Sequence, residues 1–436
     1  MNGRDGGFRG ATGTAAVLTG LGAWLPPRRV TNDDLCARLD TSDEWIRERI
    51  GIAERRLAAP DVSTGDMAVE AAARAMASAG VDAVDALLVA TSSPDHPCPA
   101  TAPWVAHRLG LPQVAAFDIA AGCSGFVHAC AVAAGLIASG AARRVLVVGA
   151  ETMSAMVDPD DRATAPIFGD GAGAAVFEAD SPHAEGALGP VVWGSDGSLA
   201  DAIVVPAGGA RGRHERAGAP QGDFFVHMRG NEVFRHAVRR MTHAAREAAA
   251  RAGWRIDEVD RLIAHQANLR INLAVADALG IPADQVPSNI RDVGNTAAAS
   301  VPLLLADACD KGELKPGHKV LLVSFGSGLA WAATTLVWPA GLAPDCENPA
   351  PPLFQGPPMT FEQVKEILTT KGGLPAAPIA PDASLASANI DSMALVVLSM
   401  QVEEGTGVEV SEDVLAQAAT VAELAELVGR YAEPRA

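Results

Sequence analysis

Cys123 is the residue of this sequence best placed to act as a nucleophile. It lies in the stretch AAFDIAAGCSGFVHAC, where an apolar run, Val114 to Ile119, reads as a buried strand. Ala-Ala-Gly-Cys-Ser-Gly follows, small residues that permit a sharp turn. Phe126 to Leu136 then reads as an Ala-rich helix. A cysteine at such a junction faces the positive end of the helix dipole, which lowers a thiol pKa and favours the thiolate. Small neighbours also let a substrate carbonyl approach backbone N–H groups, as acyl transfer requires. A buried structural cysteine is the competing reading, and it suits Cys130.

The elements that must position Cys123 recur later in the chain. DAVDALLVA, beginning at Asp82, matches DEVDRLIAH, beginning at Asp257, an offset of 175 residues (257 less 82). VLVVGA from Val145 matches VLLVSF from Val320 at the same offset. VAHRLGLP from Val105 and VADALGIP from Val275 match with some drift. A repeat this long is no solenoid unit; it predicts a duplicated α/β half-domain, each half a parallel-rich sheet between helices. At this offset Cys123 corresponds to Ala298, and His265 ends the strand equivalent to the one near Ala90. Cys123, His265 and Asn295 therefore lie at loops or helix starts beyond strand ends, where α/β sheets place their sites.

Around these units the reading is of alternating strands and helices. AAVLTGLGAWLP (15–26) reads as strand and turn, and helices are expected to start at capping residues Thr31 or Asn32 and Thr41 or Ser42. A helix over 67–80 ends at Gly80, strands follow over 81–93, 143–151 and 167–179, and 100–112 is helical. IFGDGAGAAVFEA lacks a complete G-x-G-x-x-G, which argues against a dinucleotide site.

Composition narrows the function. A net charge of −18 argues against nucleic acid and anionic membrane surfaces, and no stretch reaches the length of a transmembrane span. The Gly-rich residues 1–13 read as a disordered arm rather than a signal peptide. Six scattered cysteines with no C-x-x-C pair suit a reducing cytoplasm, and ten histidines without metal-ligand spacing suggest no metal site.

Residues 14–338 resemble the thiolase superfamily, and within it β-ketoacyl-acyl carrier protein synthase III. The resemblance rests on TSDEWI (41–46), GCSGF (122–126), DRAT and IFGDGAGAAV (161–176), GNEVF (230–234), HQANLRI (265–271), GNTAAAS (294–300) and SFGSG (324–328). It implies a thiolase-like, five-layered αβαβα subunit with halves over about 14–180 and 185–338, assembled as a homodimer. It implies that Cys123 accepts the acyl group, and that His265 and Asn295 bind the malonyl thioester carbonyl and stabilise the enolate. The backbone amides of Cys123 and Ser327 match the oxyanion hole; the family usually has a smaller residue, often Gly, where Ser327 stands. Trp45, Arg49 and Arg162 match positions that hold the adenine and phosphates of coenzyme A. Asn231 and Arg235 match the pantetheine tunnel, Asn268 the residue that orients a water and the histidine. Arg49 and Arg235 are also readable as solvated surface charges. Cys98 matches a position that reaches across the dimer to floor the partner's acyl pocket; being smaller than phenylalanine, it implies a starter larger than acetyl.

After Trp338 the composition shifts. A Pro-rich linker (339–358) leads to three expected helices over 359–432, a small all-α bundle. NIDSMALVVL resembles the acyl carrier protein motif, in which Ser392 would carry 4′-phosphopantetheine attached by a phosphopantetheinyl transferase. A plain helix N-cap at Asp391 or Ser392 is the alternative. Carrier helices typically show acids just after that serine; here they come only at Glu403 and Glu404. The combined expectation is a cytoplasmic enzyme of fatty acid or polyketide chain initiation. It takes an acyl-CoA starter onto Cys123 and condenses it with a malonyl-type carrier thioester. An acyltransferase moving the group to a hydroxyl, amine or thiol, and a carrier-presenting scaffold, are the competing readings.

Overall fold

The computed structural model describes residues 13–111, 113–211, 219–344, 360–406, 415–416 and 418–432. The arm expected over 1–13, bar Gly13, and most of the expected linker lie outside the described residues.

The first sheet joins β1 (Ala15–Trp24), β4 (Ala86–Ala90), β5 (Ala115–Ile119), β6 (Arg144–Glu151) and β7 (Gly171–Asp180) in the order β1-β7-β6-β4-β5. The second joins β8 (Val192–Ser195), β11 (Arg261–Ala264), β12 (Lys319–Gly326) and β13 (Ala330–Val337) in the order β11-β12-β13-β8. Two short ladders, β2 (Arg29–Thr31) with β3 (Glu54–Arg56) and β9 (Ile203–Val204) with β10 (His227–Met228), lie outside them. Both large sheets are mixed rather than parallel-rich. β4 runs parallel to β5 and β6, and β11 to β12, but β7 and β13 are antiparallel to all their partners. Between β12 and β13 only three residues intervene, Ser327 to Leu329, too few for the crossover that parallel pairing needs.

The duplication is visible in register. Ala86 pairs with Val145 and Arg261 with Val320, the same pairing shifted by the 175-residue offset. The middle helices α5 (Gly125–Ala138) and α9 (Ser300–Asp310) start 175 residues apart, each after a 3-10 turn, Gly122–Ser124 and Ala297–Ala299. Phe126, Val127, Cys130 and Ile137 of one and Val301, Leu304 and Leu305 of the other fill the core between the sheets. Full burial of such side chains stabilises by roughly 1.5–3 kcal/mol each.

The outer layers are α3 (Thr64–Ala79) on the first sheet and α6 (Gly230–Arg251) and α7 (Leu269–Leu279) on the second. Helix α3 starts three residues before the expected Met67, because Ser63 and Asp66 form a reciprocal capping box; Gly80 ends it in the left-handed region. The remaining helices of this unit are α1 (Asn32–Cys36), capped by Thr31; α2 (Asp43–Ile50), capped by Ser42; α4 (Thr101–Arg108); and α8 (Ile290–Val293). Strand β5, expected to be buried, is an edge strand, and Phe117 on it is 40% exposed.

A second compact unit takes in Pro351–Ala436. Its longer helices among the described residues are α10 (Phe361–Thr370), α11 (Ser392–Thr406) and α12 (Val421–Ala432). Thr360 and Gln363 cap α10 reciprocally. Val364, Leu368, Leu395, Leu398, Leu424 and Val428 meet in its core.

Candidate active site

A cavity of about 120 Å³ opens in the first unit, and Cys123, His265, Asn295 and Ser327 all line it. The rest of its wall is mainly apolar, including Met153, Phe168, Val226 and Phe325. The two halves deliver these residues from neighbouring places of the repeat: Cys123 from the turn before α5, Asn295 from just before the turn leading into α9.

Cys123 is half-buried. Its turn is drawn tightly against the end of β12. A Cβ on Gly122, which has φ +54, would lie 2.3 Å from Ser327 Oγ. The thiol is pushed up to about 12, first by burial and then by the Glu151 carboxylate. This reverses the expected lowering by the helix dipole: apolar surroundings and a nearby negative charge both disfavour a thiolate, so the resting nucleophile is a neutral thiol.

Glu151 ends β6 and is fully buried. It accepts hydrogen bonds from the Ser92 amide at 3.0 Å and from Ser93 through its amide at 3.1 Å and its hydroxyl at 2.7 Å. Burial raises its carboxyl pKa, and these bonds oppose the rise. The carboxylate thus pins the Ser92–Ser93 loop, and Ser92 is itself part of the cavity wall.

Asn295 is held by its backbone to the Ile167–Gly169 segment, with N–H to Ile167 O at 2.9 Å and C=O to Gly169 N at 3.0 Å. The Ala297 amide donates to Asn295 Oδ1 at 2.9 Å, assisted by a left-handed φ of +45 at Ala297. With Oδ1 so occupied, the Asn295 NH₂ is the end left to donate. His265 follows β11 directly and is 3% exposed. Burial drops its pKa to about 3, so the ring is neutral at physiological pH. Its Nδ1 pairs with Ser300 Oγ at 2.6 Å.

The other expected residues lie off this cavity wall. Trp45 is half-buried on α2, and the exposed Arg162 guanidinium stands 5.2 Å from its ring centroid. Asp161 folds the turn that presents Arg162, accepting from the Ala163 amide at 2.9 Å and the Thr164 hydroxyl at 2.6 Å. Arg49, Asn231 and Arg235 are exposed on α2 and α6. Asn268 caps α7 through the Arg270 amide at 2.9 Å and donates to the Arg49 carbonyl at 3.1 Å. These bonds brace α7 against α2. Cys98 is exposed and does not line this chain's own cavity.

In the second unit Ser392 is exposed as the first residue of α11, and Asp391 Oδ1 accepts from the Ala394 amide at 2.8 Å. An open hydroxyl at a capped helix start fits a phosphodiester, because free N–H groups and the helix dipole favour an anion there.

Residues 117–197 match the family described as 3-oxoacyl-[acyl-carrier-protein (ACP)] synthase III, residues 249–338 its C-terminal part, and residues 362–428 a phosphopantetheine attachment site. A β-ketoacyl-[acyl-carrier-protein] synthase III (number 3) of Streptomyces coelicolor is 54% identical over 328 residues, 75% of this chain and 98% of that protein. The chain belongs to the 3-oxoacyl-[acyl-carrier-protein] synthase III family.

The synthase III of Pseudomonas aeruginosa has a solved structure that superposes with a TM-score of 0.70 at 45% identity, covering 74% of this chain and 98% of that one. A priming β-ketosynthase from the R1128 polyketide biosynthetic pathway gives 0.70 at 37% identity, covering 74% and 96%. The chain is thus a synthase III enzyme of the acyltransferase class on a thiolase-like fold, followed by a domain for a phosphopantetheine group. Among its described residues, no helix is long and apolar enough to cross a membrane. Sequence reasoning missed Glu151, Ser92 and Ser300, for the motifs do not show which side chains meet behind the cavity.

Proposed function

We propose that the synthase III unit begins a chain by decarboxylative condensation, in fatty acid or polyketide synthesis. The observation that carries this reading is the convergence of Cys123, His265 and Asn295 on one apolar cavity. In the first half-reaction the Cys123 sulfur attacks the acyl-CoA carbonyl. The developing oxyanion is met by the amides of Cys123 and Ser327. The thiol proton leaves with the CoA sulfur, so acyl-Cys123 and free CoA result.

In the second half-reaction a malonyl-type carrier thioester enters. Its carbonyl oxygen accepts from His265 and Asn295. The bond to the carboxylate breaks, carbon dioxide departs, and the electron pair becomes an enolate held by the two donors. The enolate carbon attacks the acyl carbonyl, and the Cys123 thiolate leaves and takes one proton from solvent, the proton that decarboxylation consumes overall. A β-ketoacyl thioester remains. Two neutral donors in low-dielectric surroundings suit an enolate, since neither has to lose a proton at pH 7.

Trp45, with the Arg162 guanidinium 5.2 Å from its ring centroid, suits an adenine, and Arg49 and Arg162 its phosphates, with Asn231 and Arg235 at the pantetheine entry. We assign Ser392 as the attachment point of 4′-phosphopantetheine, which when bound supplies a flexible thiol for acyl groups. Residues 14–338 and 359–432 are the catalytic and carrier domains in this reading, with 339–358 between them. A homodimer is supported by the edge strand β5 and its exposed Phe117. In that dimer Cys98 would floor the partner's acyl pocket. The cysteine usage supports a reducing cytoplasm.

The test is to incubate the full chain with acyl-CoAs and a ¹⁴C-carboxyl-labelled malonyl carrier thioester, following acyl-Cys123 by intact mass and released ¹⁴CO₂ together. Acylation with labelled carbon dioxide released in proportion to product supports condensation. Acyl transfer without carbon dioxide would instead identify a plain acyltransferase.

A further inference from the structure

His265 and Ser300 form a pair that the first half of the duplication lacks. Shifted by 175 residues, His265 falls on Ala90 and Ser300 on Gly125. Those two positions also meet, since a Cβ on Gly125 would lie 3.1 Å from the Ala90 Cβ. The same junction of strand end and helix start therefore holds two inert residues in one half and a hydrogen-bonded pair at 2.6 Å in the other.

The direction of that bond follows from its surroundings. Ser300 is 1% exposed, so an unplaced hydroxyl hydrogen would be a buried polar group without a partner. The Gln266 amide already donates to Ser300 Oγ at 3.4 Å. Among the described residues, the acceptor within reach of the hydroxyl hydrogen is His265 Nδ1. A ring N–H at Nδ1 would turn that bond round and leave the hydroxyl hydrogen unplaced.

We propose that Ser300 is a positioning residue that donates to His265 Nδ1 and so fixes the ring as the Nε2–H tautomer, the form able to donate into the cavity. The inference rests on the reading of His265 as a carbonyl donor. A neutral imidazole carries one ring proton, and the position of that proton decides between donor and acceptor. The buried, unprotonated state of His265 agrees with this arrangement. Ser300 acts only through His265, so its loss should spare acylation of Cys123.

The experiment uses the full chain with ¹⁵N-labelled histidine, the His265 signals being assigned by their loss in His265→Gln. The wild type should show a single Nε2–H tautomer. Ser300→Ala should shift His265 towards Nδ1–H and slow decarboxylation at least about tenfold, while Cys123 acylation stays within about twofold. Ser300→Thr, which keeps the hydroxyl, should restore both the spectrum and the rate. An unchanged Nε2–H tautomer in Ser300→Ala, or a folded Ser300→Thr that fails to restore it, overturns the proposal. A shifted tautomer with unchanged decarboxylation upholds the tautomer assignment and removes His265 from the donor role.

Discussion

Gly326 packs so closely on Cys123 that a Cβ at position 326 would lie 2.5 Å from the Cys123 amide nitrogen. Ser124 N would be only 3.0 Å away. The end of β12 and the nucleophile turn are therefore fitted backbone to backbone, and no flexible side chain can give way. Gly326→Ala should push the turn outward and misplace both the sulfur and the amide that meets the oxyanion. Acyl-Cys123 formation should fall at least about tenfold, since misplacement by about 1 Å in a preorganised site can cost about a hundredfold. A time course by intact mass spectrometry checks this, and an unchanged rate would remove the fitted backbone from the account.

The thiol makes a second prediction. With Cys123 raised to about 12 by burial and Glu151, iodoacetamide alkylation at this residue should climb about tenfold per pH unit from 7 to 10 without levelling. Glu151→Gln should shift that profile to lower pH by removing the nearby charge. A plateau below pH 8 would show the helix dipole winning over burial.

His265 makes the folded state pH-dependent. Its pKa is about 3 when folded against 6.5 as the ordinary value, so the unfolded chain binds the extra proton between them. Stability from this group is full above pH 6.5 and is lost as the pH falls towards 3. At pH 5 the loss should be about 2 kcal/mol. His265→Gln should lack this component, so urea unfolding at pH 7 and pH 5 should differ less than in the wild type. Equal pH dependence in the two proteins would contradict a buried neutral ring.

Starter choice should respond to position 98. If Cys98 floors the partner's acyl pocket, Cys98→Phe fills space worth roughly 1–3 kcal/mol of discrimination and moves preference towards acetyl-CoA by about tenfold or more. Competition between acetyl-CoA and a branched or medium-chain acyl-CoA measures it. A wild type that already prefers acetyl would sink the argument.

Tethering should matter as well. Ala340, Leu342 and Ala343 are hydrogen-bonded to Glu185, Cys309 and Ser78 of the synthase unit, so the roughly fourteen residues of 345–358 reach at most about 43 Å as an extended polyproline helix, and tethering gives about millimolar local carrier. Cleavage near Pro351 should raise the carrier concentration needed for half-maximal condensation. Ser392→Ala should abolish loading of the carrier while leaving Cys123 acylation intact.

The sequence carried the duplication clearly, because strand-forming runs at Asp82 and Asp257 or at Val145 and Val320 keep their apolar pattern after divergence. The Cys123 turn and the Asn295 loop were legible for the same reason: small residues and glycines mark sharp turns. Strand β5 was misjudged because an apolar run at the edge of a sheet reads the same as one inside a core. Mixed strand direction was hidden as well, since an apolar run has no sign. The thiol was misjudged because its charge state depends first on burial in the folded cavity and then on Glu151, 28 positions on and silent as a motif. Ser300 was read only as the end of GNTAAAS, for nothing local says that its hydroxyl meets a ring 35 positions earlier.

The apolar lining of the cavity, with Met153, Phe168, Val226 and Phe325 around Cys123, has a consequence for timing. Water is the rival nucleophile in any thioester enzyme, and a wall that is apolar apart from the catalytic groups gives it few ordered places beside the acyl carbon. A starter loaded on Cys123 should thus survive long intervals between visits of the extender. Throughput would then follow the arrival of the second partner, and the loaded enzyme would act as a standing reserve of activated carbon.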